Sequence, residues 1–290
     1  MSSLAAQWHR YRGALLDREF AGWVWRRFWL DDIPGRSAQL SYYFLLSLFP
    51  LLIFLSALLG YFFAADTKLE RRLIDYLGSM MPNSAFEIVQ RTMTDLLEER
   101  GGAKLSFGLL LALWMAASGM EAVIEGLNVA FQVREVRPWW RRRLVALNLT
   151  VAVAVLSGCA LGLALVGGTG GKFVMDLIGP SGLWMILWRV AHGIGSAFFL
   201  LFAIALIYFL GPNLRGRRRT QVIMPGAVVA LACWITASAG LQLYLDRFST
   251  FGATYGSLGA VIALLLWLYL SGATLLLGAE INSGIQARLD

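Results

Sequence analysis

The chain has 290 residues, of which 58% are hydrophobic and only 15% charged, and it carries a formal net charge of +7 with a mean hydropathy of +0.64. Such a balance is far too apolar for a water-soluble domain of this length, so the bilayer is its expected solvent. Cys159 and Cys233 both fall in apolar stretches, which excludes a disulfide framework and a CxxC metal site.

Residues 1–36 read as a cytoplasmic amphipathic interfacial segment. Trp8, Tyr11, Trp23, Trp25 and Trp29 alternate with Arg12, Arg18, Arg26 and Arg27, which suits rings at headgroup level and guanidinium groups on phosphates. Asp31-Asp32-Ile33-Pro34-Gly35 is expected to break this helix. No isolated apolar core precedes it, so the first span is expected to act as the targeting signal. That span, 38–64, lies in the charge-free run from Ser37 to Ala65, and Pro50 should kink it by freeing the carbonyl of Leu46.

Residues 66–104 are expected to form a helical hairpin on the outer face. Thr67 with Glu70 and Ser84 with Glu87 have capping-box spacing, and Met81-Pro82-Asn83 separates the two helices. A second span follows at 105–127, interrupted by Glu121 and Glu125, which share a helix face with Trp114, Ser118 and Asn128. Further spans are expected at 144–167, 184–210, 221–245 and 255–281, with a cytoplasmic tail at 283–290. The last is the clearest: from Phe248 to Ala279 there is no Asp, Glu, Lys or Arg, and about 20 apolar residues suffice to cross the hydrocarbon. The expected fold is therefore all-α, a polytopic membrane bundle of six transmembrane helices over 37–282. The alternation of a porin-like barrel is absent.

Sixteen of the 25 Lys and Arg fall in segments 1–36, 134–143, 215–219 and at Arg288, which places both termini in the cytoplasm. Arg141-Arg142-Arg143 and Arg217-Arg218-Arg219 read as membrane anchors; the expected partners are membrane lipids with anionic headgroups, and nucleic acid is not expected. Gly158 with Gly162, Gly226 with Ala230, and Gly252 with Gly256 have small-xxx-small spacing, which permits close helix contacts and is compatible with a homo-oligomer or envelope-protein partners.

Ionisable groups inside a span cost about 2.5–3.5 kcal/mol each at its centre, which makes them the best functional clue. Glu121, Glu125 and Glu280, with Asn128 and Asn282, gather toward the inner leaflet. Such a cluster suits cation binding, proton relay or a salt-bridge lock; the plainer reading pairs the carboxylates with the arginines of 134–143. Arg189 and His192 lie in the outer half of the fourth span, with Ser196 one turn deeper. A guanidinium there can hold a phosphate or carboxylate, or snorkel to outer headgroups, and His192 reads as hydrogen-bonded structure. HExxH, P-loop, GxSxG and dinucleotide signatures are missing, so no catalytic residue, metal or cofactor is assigned and the chain does not read as an enzyme.

Three ordered motifs carry a resemblance. They are Ala38-Gln39-Leu40-Ser41-Tyr42-Tyr43 running on to Phe49-Pro50-Leu51-Leu52, then Glu125-Gly126-Leu127-Asn128-Val129-Ala130-Phe131, and finally Tyr255-Gly256-Ser257-Leu258-Gly259 with Gly278-Ala279-Glu280-Ile281-Asn282. From about Gly35 to Asn282 the chain resembles the YihY/virulence factor BrkB family of bacterial inner-membrane proteins. The resemblance implies six spans with cytoplasmic termini. Some members were labelled ribonuclease BN, an activity for which this chain lacks a catalytic constellation. Association of relatives with envelope integrity and lipid export implies a transporter-like role, moving or helping to move lipid or lipid-linked anionic precursors. A non-catalytic scaffold is the alternative, and a membrane-bound ribonuclease the third.

Overall fold

A computed structural model describes residues 18–47, 102–178, 182–214, 223–247 and 250–289. Among the described residues all regular structure is helical. The elements are α1 (Arg18–Leu30), α2 (33–47), α3 (Gly102–Ala130), α4 (Trp139–Ile178), α5 (Gly182–Leu210), α6 (Met224–Arg247) and α7 (Thr250–Leu289). Among the described residues, four stretches are long and apolar enough to cross a membrane: Trp139–Leu163, Val190–Leu210, Met224–Leu245 and Val261–Arg288. At 1.5 Å per residue even the 21-residue stretch is about 32 Å long.

Several expected bounds shift. The break after α1 is confined to Asp31 and Asp32, and the chain is helical again from residue 33, with Pro34 in the first turn, where a missing N–H costs nothing. Asp32, at φ 50°, supplies the left-handed residue that ends α1, and its N–H donates to the Trp29 carbonyl at 3.3 Å. The helix α7 does not stop at 281 but continues to Leu289, through the expected tail. A helix stops where its caps are, and hydrophobicity registers only the part that needs lipid. Pro50, the hairpin expected at 66–104 up to residue 101, and Arg215 to Arg219 lie outside the described residues.

The chain divides into two compact units. One comprises residues 1–34, 124–235 and 274–290; the other comprises 35–123 and 236–273. In the first, α4 and α5 pack along each other, and Ser196 Oγ donates to the Ala160 carbonyl at 3.0 Å. Phe20 of α1 packs with Ile281 and Ile285 of α7, flanked by Trp23, Val24, Val229 and Leu277. On α5, Val190, Ile194, Phe198 and Phe202 recur every fourth residue and are all exposed, as a lipid-facing stripe requires. In the second unit, Gly272 lets α7 approach Leu40 and Ser37 of α2, and Trp267 Nε1 donates to Ser238 Oγ at 3.1 Å.

The small-residue pairs behave differently from one another. A Cβ at Gly158 or Gly162 would meet nothing within 4 Å among the described residues, so the expected helix contact there is not made by them. Gly226 and Ala230 do make one, against Gly278 of α7. In lipid, apolar contact yields little over lipid tails, so close backbone approach must supply the packing.

Candidate functional site

Three polar assemblies occupy the first unit. One begins at Asn128, whose position in the last turn of α3 leaves its side chain 5% exposed. Its Nδ2 donates to Glu135 Oε2 at 2.8 Å, and its Oδ1 accepts the backbone N–H of Asn213 at 2.8 Å. Arg137 grips Glu135 in a fork, Nε to Oε1 at 2.8 Å and Nη2 to Oε2 at 2.7 Å, and Nη2 also donates to the Gly211 carbonyl at 2.8 Å. Asn213 Nδ2 closes the ring on the Arg134 carbonyl at 3.0 Å. The turn after α3 is thus clasped to the end of α5. Partial burial alone would push the Glu135 carboxyl up. Hydrogen bonds from the Arg137 side chain and backbone and from Asn128, with the Arg137 charge, outweigh it and hold the group at about 2 instead of its ordinary 4.5.

Asn282 builds the second assembly. The helix α6 starts after Ile223, a residue with no polar side chain to cap the free N–H groups of the first turn. Asn282 of α7 caps it from outside: its Oδ1 accepts the Gly226 N–H at 2.7 Å, and its Nδ2 donates to the Ile223 carbonyl at 3.0 Å. This requires α6 and α7 to touch, and glycine permits it. A Cβ at Gly278 would stand 2.5 Å from the Gly226 carbonyl oxygen and 2.7 Å from Ala230 Cβ, and would collide with the Tyr208 hydroxyl. Tyr208 is wholly buried, and its hydroxyl donates to the Leu275 carbonyl at 2.5 Å.

Between those residues sits Glu280, also wholly buried. Its partner is Arg27 of α1, Nε to Oε2 at 3.9 Å, and the same guanidinium holds Asp31 one turn along at 2.7 Å. The Asp31 and Glu280 carboxyls thus stand against the same guanidinium. Gln132, oriented with its amide oxygen toward the guanidinium as hydrogen-bond chemistry requires, accepts from Arg27 as well. Gln132 has φ 53° at the C-terminus of α3, where Val133 N–H bonds to the Asn128 carbonyl and Gln132 N–H to that of Val129. This cap usually takes glycine, and a side chain there costs about 1 kcal/mol. Arg27 also lies over the Trp23 ring, 5.8 Å from its centroid.

The residues expected from sequence therefore separate. Asn128 and Asn282 hold backbone ends, and Glu280 is matched by Arg27, not by an arginine of 134–143. In that loop the arginine partner is Glu135, unsuspected because a carboxylate between two arginines in a turn has no periodic signature. Glu125 is exposed on α3 and Glu121 is half-buried. His192 is buried on α5, and Arg189 lies on the same helix one residue before its membrane-length stretch. Asp31 and Arg27 went unrecognised as site residues; the usable signal was that a carboxylate deep in an apolar span requires a cation from elsewhere in the chain.

Helices of membrane length, bearing exposed apolar side chains and turning their polar groups onto one another, define a multi-pass helical membrane protein. The chain belongs to the virulence factor BrkB family, whose profile matches residues 24–290. It is 37% identical over 268 residues to a Bacillus subtilis (strain 168) protein that bears a ribonuclease-like name, YfkH, covering 91% of this chain and 94% of that one. A UPF0761 membrane protein of Tolumonas auensis is 27% identical over 276 residues, covering 93% and 86%. Another, from Xanthomonas campestris pv. campestris (strain B100), is 27% identical over 286 residues, covering 96% of this chain but 64% of the relative. No solved structure matches.

Proposed function

We propose that this chain is a transporter-like protein of the bacterial inner membrane that moves, or helps to move, a lipid or lipid-linked anionic envelope precursor between leaflets. Six spans and cytoplasmic termini complete the reading, as the arginine distribution favours. One observation carries it. A carboxylate wholly buried in a membrane-length helix, Glu280, is tied through Arg27 to a surface helix that exposes Trp25 and Trp29, side chains suited to the headgroup layer. Movement of the surface helix against lipid is thereby linked to the buried charge. In this scheme Arg189 contacts the headgroup, and Glu121, Glu125 and Glu280 gate the path or couple it to protons.

Leaflet accessibility of labelled phospholipids in vesicles tests the scheme, with Glu121→Gln and Arg189→Ala compared at equal incorporation. Slower lipid movement in both supports it, and unchanged movement removes the gating and headgroup roles. Gly158 and Gly162, whose faces meet no described residue, favour a second reading, a scaffold that accepts a partner helix there. It expects co-purifying membrane proteins and a phenotype that follows Gly158 or Gly162 substitutions. A ribonuclease reading rests on the names given to relatives, and stringently purified protein is expected to cleave no RNA.

A further inference from the structure

Glu280 poses a problem of charge. It is 0% exposed, and its neighbour Asp31 is 14% exposed at the side chain, yet one guanidinium serves both. Of the two, Asp31 has the short contact, at 2.7 Å, and Glu280 the long one, at 3.9 Å. With both carboxyls ionised neither can donate to the other, and neither Glu280 oxygen has a hydrogen bond. A buried carboxylate in that condition costs several kcal/mol. A single proton resolves it: either carboxyl then donates O–H···O to the other, and the group becomes one positive charge facing one negative charge.

We propose that Asp31 and Glu280 share one proton beneath Arg27, forming a latch that seats the interfacial helix α1 on α7. Among the described residues, groups from four elements face it. Helix α1 contributes Arg27 and Asp31; α7 contributes Glu280; the turn after α3 contributes the uncharged Gln132 amide. Phe20, Trp23, Ile281 and Ile285 close the apolar side, with Val229 from α6, and Arg288 lies over the Phe20 ring, 4.9 Å from its centroid. Gln132 holds its side chain on Arg27 from a backbone conformation that glycine would adopt without strain, which is the expected cost of fixing a guanidinium in place. Loss of the proton leaves two negative charges on one arginine and loosens α1. The latch deepens the gating role proposed for Glu280 and rests on it only for its purpose, not for its chemistry.

Infrared difference spectroscopy of the full-length protein in lipid reads the proton without any transport assay. At neutral pH the unsubstituted protein is expected to show a protonated-carboxyl absorption that both Glu280→Gln and Asp31→Asn remove. Asp31→Glu, which keeps both carboxyls, should shift the band without abolishing it. Absence of any such band from the unsubstituted protein, or its persistence in both carboxamide variants, overturns the proposal. Spin labels at Gly22→Cys and Ala287→Cys, both exposed, read the latch itself in a background lacking Cys159 and Cys233. Their distance distribution should broaden as alkaline pH strips the proton, and Asp31→Asn should flatten that dependence. A distribution unchanged with pH overturns the latch. A negative lipid assay beside a positive infrared band rejects the transport reading and leaves the proton site standing.

Discussion

Gly278→Ala is the most demanding test of the α6–α7 contact. The added methyl would lie 2.5 Å from a backbone oxygen and 2.7 Å from Ala230 Cβ, and would also press on the Tyr208 hydroxyl. Two of these cannot swing aside: the Gly226 carbonyl belongs to a helix, and Tyr208 is wholly buried with its hydroxyl committed to Leu275. The helices must separate, which stretches the cap that Asn282 places on Gly226 and Ile223. Overpacking of this kind costs about 1–3 kcal/mol, and the rigid neighbours favour the middle of the range or above. A loss of about 2 kcal/mol lowers the folded-to-unfolded ratio about 30-fold and a thermal midpoint by about 4–8 °C. Thermal unfolding in detergent, followed by tryptophan fluorescence, measures it. Gly158→Ala is the matched control, because no described residue lies within 4 Å of its Cβ. It should leave the midpoint unlowered. Equal losses at the two positions, or none at Gly278, would refute the contact.

Three further outcomes follow from the polar assemblies. Asn282→Ala strands the Gly226 N–H and the Ile223 carbonyl and should cost about 1–3 kcal/mol in the same assay, with Asn282→Asp recovering only the acceptor half. Glu135→Gln should destabilise at neutral pH by about 1 kcal/mol, discounted for partial solvent screening. Because the folded carboxyl titrates near 2 against an ordinary 4.5, its contribution is complete above about 4.5 and fades as pH falls toward 2. Stability curves of the two proteins should therefore converge over that window, and a constant gap would contradict the assignment. Tyr208→Phe removes the hydroxyl donated to Leu275 and should cost about 1 kcal/mol; a gain in stability would argue that the short contact is strained.

Much of the fold was legible because lipid leaves a strong mark on sequence. Apolar, charge-poor runs placed spans at 144–167, 184–210, 221–245 and 255–281, and each overlaps one of the membrane-length stretches Trp139–Leu163, Val190–Leu210, Met224–Leu245 and Val261–Arg288 found among the described residues. Helix ends were not legible from hydrophobicity, since α7 continues past its apolar part and α6 is capped by a residue from another helix. Asn128 and Asn282 stood out as polar residues among apolar ones, but spacing could not distinguish a gate from a cap. Backbone groups that need partners settle that, and both asparagines serve them. Arg27 was hidden by its surroundings. Among Trp23, Trp25 and Trp29 it reads as a headgroup anchor, and no local pattern connects it to Glu280.

In the proposed function, lipid movement depends on the buried charge that α7 shares with α1. The direct measurement is the rate at which a labelled anionic phospholipid exchanges leaflets in vesicles carrying the protein, protein-free vesicles and vesicles carrying Glu280→Gln at equal incorporation. Exchange above the protein-free rate, reduced at least several-fold by the substitution, is expected. Exchange no faster than in protein-free vesicles, or equally fast with Glu280→Gln, would contradict it.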